Sequence, residues 1–415
     1  MSVLIYRLAI ALYSLALRVA CLFSKKAGLF VAGRKGLLSR IRYALIDEWR
    51  PRIWMHCASL GEFEQGRPVL EQLREEYPGH ALVLTFFSPS GYEMRKGFKG
   101  VDYVFYLPLD TRGNAKKFLS FVQPELCIFV KYEFWYFLLR EIERKGISAV
   151  LISSIFRKEQ PFFQWYGSLY RRMLFCFSKI FVQDAASSQL LRSIGIEDAV
   201  IAGDTRFDRV VKAVKNHEEL PIAKEFYSGC KVLIAGSSWS EDERFLKKVI
   251  DALPAEWKLI LVPHEVHDVQ INSIKALFGD AVTWSGWKAG VHAKVLIVDQ
   301  IGLLLQLYSY ARVAWIGGGF GKGIHNTLEA AVYGLPVGFG PAYKKFREAK
   351  ELIAAGAAFS TSDPGYLLSL IDNWDKDEAG WQQASKAAKQ YVLSNAGATN
   401  KIMSYLSEKK VLIAS

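Results

Sequence analysis

A chain of 415 residues that is 51% hydrophobic and 23% charged is too long for one ordinary domain and too apolar to remain disordered. Two domains of roughly 200 residues each are expected. The net charge of +12 calls for a polyanionic neighbour, but residues 1–50 hold nine Lys/Arg and two Asp/Glu, so +7 lies in the first eighth of the chain. A nucleic-acid domain needs no such placement. Five cysteines, Cys21, Cys57, Cys127, Cys176 and Cys230, are scattered without a CxxC pair, which argues against a disulfide framework or a zinc cluster. His264 and His267 lack a carboxylate at metalloprotease spacing, so no metal site is expected.

Ser2 to Phe23 is an apolar run of about bilayer-spanning length with Arg7 and Arg18 as its only charges. On a helical wheel Arg7, Ser14, Arg18 and Lys25 fall on one side, so residues 1–28 are expected to form a membrane-associated helix. It either lies in the interface with this stripe toward headgroups or spans with snorkelling arginines. Arg18 and the lack of a small-x-small site before Lys25 disfavour a cleaved signal peptide. Lys25, Lys26, Arg34, Lys35, Arg40 and Arg42 follow, a cluster that favours anionic lipid on the cytoplasmic side.

From Arg52 onward short β-branched runs alternate with amphipathic stretches: Ile53–Ala58, Ala81–Phe87, Tyr103–Tyr106, Leu126–Val130, Ala149–Ile152 and Ile180–Val182. This is the pattern of a parallel, doubly wound sheet over residues 29–208. A polar stretch containing Pro221, residues 209–226, reads as a linker. A second series, Val232–Ala235, Leu259–Val262, Val295–Val298 and Val313–Ile316, begins a second Rossmann-like domain over 227–415. Two such domains facing a cleft form the GT-B glycosyltransferase architecture, an outline that two-domain binding proteins share.

Three loops at strand ends invite chemistry. His56-Cys57-Ala58-Ser59-Leu60-Gly61-Glu62 precedes a helix expected to start near Pro68, and Glu62 suits either a general base or a helix N-terminus. Ser237-Ser238-Trp239-Ser240 before Glu241-Asp242-Glu243 reads as ordinary N-cap chemistry. The glycine-rich segment Gly317 to Gly323, with Gly318 and Gly319, runs toward a helix and is expected to present N–H groups to a phosphate. It is neither a Walker A loop nor GxGxxG, and Glu329 beyond it could accept bonds from a ribose.

Taken in order, Ser59-Leu60-Gly61-Glu62, Tyr106-Leu107-Pro108-Leu109-Asp110, Tyr132-Glu133-Phe134-Trp135, Gly203-Asp204-Thr205-Arg206-Phe207-Asp208, Ala235-Gly236-Ser237-Ser238, His325-Asn326-Thr327-Leu328-Glu329 and Phe339-Gly340-Pro341 resemble the 3-deoxy-D-manno-octulosonic acid (Kdo) transferases. The resemblance implies an inverting transfer of Kdo from CMP-Kdo to a lipid A precursor, lipid IVA, at the cytoplasmic face of the inner membrane. It implies the acceptor in the first domain, the nucleotide in the second, no cofactor, and no nucleic-acid partner. By it Glu62 matches the catalytic base, and Glu133 and Arg206 match groups that support the transition state. Lys131 stands where an acidic residue is usual, and Arg206 where lysine is usual. Lys131 and Arg157 become acceptor-side candidates. For the donor, Pro263-His264 replaces a Pro-Arg pair and Ile301-Gly302-Leu303 lacks the usual acid, while Asn326, Thr327, Leu328 and Glu329 are retained. The rivals are a UDP-sugar transferase of the same fold and a non-catalytic protein that binds anionic lipid or nucleic acid.

Overall fold

The structure is a computed structural model and describes residues 2–215 and 219–408. Residues up to Arg209, with the segment from Gly397 onward, form one compact unit, and Val210–Ala396 form a second.

The first unit is built on seven parallel strands: β1 (Arg52–Cys57), β2 (Ala81–Phe86), β3 (Tyr103–Tyr106), β4 (Pro124–Val130), β5 (Ser148–Ser154), β6 (Lys179–Val182) and β7 (Val200–Ile201), in the order β3-β2-β1-β4-β5-β6-β7. Its central strands are apolar on both faces because helices cover both. Trp54, Val83, Phe129 and Leu151 pack on one side. Ile53, Met55, Leu82, Leu84 and Ile128 pack on the other, as the two-residue strand period requires.

The second unit repeats the plan with β8 (Lys231–Ser238), β9 (Trp257–Pro263), β10 (Val282–Thr283), β11 (Val295–Ile297), β12 (Val313–Ile316), β13 (Val337–Phe339) and β14 (Ala358–Ser360), ordered β10-β11-β9-β8-β12-β13-β14. The strands that periodicity missed, β7, β10, β13 and β14, are two or three residues long, too short to show a period.

The structure differs from the sequence reading in four places. The helix after β1 begins at Leu60, and Pro68 lies inside it, because Ser59 and Glu62 close a capping box eight residues before the proline was expected to start the helix. Residues 209–226, read as a linker, belong largely to the helices Thr205–Lys215 and Pro221–Tyr227. The C-terminal helix Ala398–Glu408 belongs to the first unit rather than the second, with Ile402, Met403 and Leu406 buried beside Leu73 and Phe181. Asp208 fastens it by accepting from the Thr399 N–H at 2.7 Å, the Thr399 hydroxyl at 2.8 Å and the Gly397 N–H.

The fourth concerns the N-terminus. The first helix stops at Ala20, and Ser24 caps a separate helix, Lys25–Arg34, so Lys25 leaves the expected stripe. Ser14 and Arg18 line a hollow of about 550 Å³ with Arg34, Lys35 and Asn114 instead of pointing away from the body. Val3 and Tyr6 pack on the core, and the Tyr6 hydroxyl donates to Asp110 Oδ2 at 2.6 Å. Asp110 also accepts from the N–H groups of Phe137 and Leu138, at 2.9 and 3.0 Å, at the start of the helix Tyr136–Arg144. The opposite side, Leu4, Ile5, Leu8, Leu12, Leu15 and Val19, is exposed.

Because Asp208 carries most of the polar fastening of the C-terminal helix, Asp208→Ala is expected to cost about 1–2 kcal/mol, as for lost N-caps. Urea denaturation would measure the loss, and hydrogen exchange should rise first in Ala398–Glu408.

Candidate active site

In a doubly wound sheet the carboxyl ends of the strands open a crevice where the strand order reverses. In the first unit that point lies between β1 and β4. The loop after β1 supplies Glu62, and the loop after β4 supplies Lys131, Glu133 and Trp135. Lys131 has φ +70°, a conformation costly for a side chain with a Cβ, while its N–H stays bonded to Ile152 O at 2.9 Å. The sheet extension thus holds the strained residue that turns the chain into Glu133.

Glu62 is both of the things its loop allowed. Its carboxylate accepts the N–H groups of Ala58 and Ser59, the latter at 3.2 Å, and Ser59 Oγ accepts the Glu62 N–H at 3.4 Å. The group is nevertheless pushed up to about 7, first by burial and then by the charge of Glu133, with the backbone donors and Lys131 pulling the other way. Glu133 is itself buried, and its Oε2 receives His56 Nε2 and Trp135 Nε1, each at 2.8 Å. Sequence reading passed over His56 and Trp135, although both stand inside segments it quoted. The signal available was a histidine three residues before Ser59 in a strand otherwise made for burial.

Arg206 lies on the helix Thr205–Lys215, after the loop that follows β7. It pairs with Asp204 at 2.8 Å, and Asp204 in turn meets Gln65 of the Glu62 helix at 3.4 Å. Thr205 accompanies it by donating to Gln65 O and meeting Ser153 Oγ at 3.0 Å. Arg157 is exposed, and its charge reaches Tyr132.

In the second unit the reversal lies between β8 and β12, and the two loops there are Ser237–Trp239 and the glycine-rich segment. A Cβ at Gly317 would collide with the Ser237 carbonyl, and one at Gly319 with the Gly340 backbone. Close approach of the ends of β8, β12 and β13 therefore demands these glycines. The expected phosphate cradle is partly occupied by the protein itself: Gly318 N–H donates to Asp242 Oδ2 at 2.8 Å, and the helix that follows, Leu328–Ala331, is a single turn. The N-cap chemistry expected of the serines also falls to Asp242, which accepts from Trp239 N–H and Trp315 Nε1, both at 3.0 Å.

Beside the loop three rings stack. His264 lies 4.7 Å from Trp239 and 4.4 Å from His325, centroid to centroid. Trp239 Nε1 donates to His325 Nε2 at 3.0 Å, and burial followed by the neighbouring His264 lowers His325 to about 4. His325 is therefore neutral near pH 7, while His264 and Trp239 are the exposed members. Pro263 ends β9 just before it. Asn326 donates to Glu329 at 3.1 Å and accepts the Leu328 N–H at 3.1 Å, while Thr327 and Leu328 are buried. Ile301 is exposed, Gly302 turns the chain with φ +98°, and Leu303 leads into the helix Leu304–Leu307.

The fold defines the class. UDP-GlcNAc 2-epimerase from Neisseria meningitidis, solved with UDP-GlcNAc bound, matches with a TM-score of 0.60 at 14% identity, covering 86% of this chain and 100% of that one. MurG from Acinetobacter baumannii matches with a TM-score of 0.53 at 14% identity, covering 85% and 99%. This is the two-domain GT-B arrangement of sheets. The sequence is closest in kind to a narrower group: residues 33–209 match the profile of the 3-deoxy-D-manno-octulosonic-acid transferases. The transferase of that name from Aquifex aeolicus is 29% identical over 325 residues, 77% of this chain and 84% of the relative. The one from Haemophilus influenzae is 26% identical over 377 residues, 85% and 86%. The chain is similar to the Kdo transferases over most of its length, as its ordered motifs implied, and is a glycosyltransferase.

A carboxyl raised on folding opposes the folded state once it must ionise. For Glu62 the penalty begins above its ordinary value of 4.5, grows as pH rises to about 7 and is constant beyond. Glu62→Gln, which keeps an acceptor for Ala58 and Ser59, should therefore melt above the parent at pH 8. Calorimetry across pH should find the gap closing below pH 5.

Proposed function

We propose that this protein transfers Kdo from CMP-Kdo to a lipid A precursor, with Glu62 as general base. Similarity to the Kdo transferases supports the reaction, and the single structural observation that carries the assignment is the raised carboxyl of Glu62 beside Glu133 at the reversal point of the first sheet. A base effective near neutral pH needs a pKa close to 7, which this environment supplies. As the bond from the Kdo anomeric carbon to the CMP phosphate oxygen breaks, the acceptor oxygen bonds to that carbon and its proton passes to Glu62. CMP departs with the electron pair. The step as proposed consumes only the sugar nucleotide and the acceptor.

Arg206 and Glu133 are assigned to support that transfer, and Lys131 and Arg157 to face the anionic acceptor. On the donor side His264 is the exposed cation-forming group at the strand ends, with the Trp239–His264–His325 stack offering a flat face to a base or sugar. Gly319, Asn326 and Glu329 complete this assignment, with Gly318 holding the loop through Asp242.

We place the reaction at the cytoplasmic face of the inner membrane. One edge of the helix Ser2–Ala20 is fastened to the globular body through Tyr6, while its apolar side is exposed, which supports a helix lying along the bilayer surface rather than through it. The cationic residues Lys25, Lys26, Arg40 and Arg42 follow in the same region and suit anionic lipid.

Incubation of the purified protein with CMP-Kdo and lipid IVA should release CMP and yield a Kdo-bearing lipid by mass spectrometry. Glu62→Gln should reduce the rate by about 10²–10⁴-fold. Absence of product from the parent, or protection against heat by UDP but not CMP, would overturn the assignment. Leu8→Glu combined with Leu12→Glu should abolish flotation with anionic vesicles while leaving the fold intact by circular dichroism.

A further inference from the structure

Behind Glu133 runs a buried line of polar groups that no role so far explains. Trp54, His56 and Thr85 are each without solvent exposure. Trp54 Nε1 lies 2.9 Å from Thr85 Oγ1, Thr85 Oγ1 lies 2.8 Å from His56 Nδ1, and His56 Nε2 lies 2.8 Å from Glu133 Oε2. An indole N–H can only donate. Thr85 Oγ1 therefore accepts from Trp54, and its hydroxyl proton is free to serve His56 Nδ1. With Nδ1 accepting, the ring proton sits on Nε2 and is given to Glu133. Trp135 Nε1 donates to the same oxygen from the other side.

We propose that Trp54, Thr85 and His56 form a one-way hydrogen-bond chain that holds Glu133 as a carboxylate and thereby sets the strength of Glu62 as a base. These are positioning residues, acting on the acceptor hydroxyl only through Glu62. The proposal rests on the assignment of Glu62 made above. The indoles at the two ends can only donate, Trp54 to Thr85 and Trp135 to Glu133, and with Thr85 donating to His56 Nδ1 every group between them has a partner.

The consequence of cutting the chain follows from proton counting. The other neighbour of His56 Nδ1 is the Thr85 carbonyl, at 3.1 Å, which can only accept. Without the Thr85 hydroxyl the ring proton moves to Nδ1 to serve that carbonyl. Nε2 and Glu133 then face each other as two acceptors unless the pair takes up a proton. Whether the proton goes to His56 or to Glu133, one negative charge beside Glu62 is cancelled, and the two placements shift Glu62 in the same direction.

The groups that bear on Glu62 from the surrounding elements are Glu133 and Lys131 from the loop after β4. Glu62 in turn acts on Cys57 from β1 and on Tyr132 from the same loop, Cys57 also feeling Glu133 and Glu64, and Tyr132 also feeling Arg157 and Asp184. Of these, Glu133 is the one the chain addresses.

The test is the pH profile of kcat/KM for Kdo transfer in the full-length protein. Thr85→Val should move the acidic limb downward by on the order of one pH unit, and Thr85→Ser, which keeps the hydroxyl, should return it to the parent's position. His56→Gln, whose amide still donates toward Glu133, should keep the limb, and His56→Leu should lower it. A folded Thr85→Val protein with the parent's limb would overturn the proposal. An independent readout needs no activity: in ¹⁵N-histidine spectra the resonances that vanish in His56→Gln should report a bare Nδ1 and a protonated Nε2. A protonated Nδ1 in the parent would overturn the chain even if Kdo transfer is observed. A parent that makes no Kdo product but shows the expected tautomer would instead overturn the functional assignment alone.

Discussion

Two carboxylates brought together in an apolar surrounding cannot both ionise freely, and the first unit is arranged around that constraint. Glu133 receives two indole or imidazole N–H groups on one oxygen, while Glu62 receives backbone donors but is more strongly affected by burial and by Glu133. Unequal treatment sets two like groups apart: Glu133 is held by two side-chain groups, while burial and Glu133 push Glu62 up to about 7. The separation needs rigid supports, and these are β1, β4 and the capped helix Leu60–Glu76, whose central residues are fully buried.

The two sheets put the same device to different uses. In both, a carboxylate in the first turn of the helix after the opening strand reaches back to the loop before it: Glu62 to Ala58 and Ser59, Asp242 to Trp239. In the second unit that carboxylate also takes Gly318 N–H and Trp315 Nε1, so it clamps the glycine segment. In the first unit Glu62 makes no such cross-strand bond, and it remains available for proton transfer. Capping chemistry does not exclude the catalytic role proposed for Glu62, because a cap residue one turn into a helix at a sheet's carboxyl edge stands where ligands bind in such folds.

Departures from the family pattern fall on positions whose surroundings can absorb them. Arg206 stands where a lysine is usual, and Asp204 takes the arginine through both its backbone and its side chain. His264 stands where an arginine is usual, and it joins a three-ring stack with Trp239 and His325. Arg157, by contrast, is exposed.

Sequence alone determined the strand-by-strand plan of the central sheets, because a parallel strand buried on both faces leaves a continuous apolar run that no loop imitates. It also singled out Glu62, Glu133 and the segments around them, since motif order survives where contacts are invisible. It misjudged the start of the helix after β1, where Pro68 looked like a first-turn residue but the Ser59–Glu62 capping box came first. It misread the glycines as open donors, since only the packed strand ends reveal that backbone approach requires them and that Asp242 takes the Gly318 N–H. Only the tertiary structure could bring Trp54, Thr85, His56 and Glu133 into line, for they come from two strands and a loop, with bonded partners 31 and 77 residues apart along the chain. A hydrogen bond between such distant residues leaves no periodicity to read, because it depends on how the strands are laid side by side in the sheet.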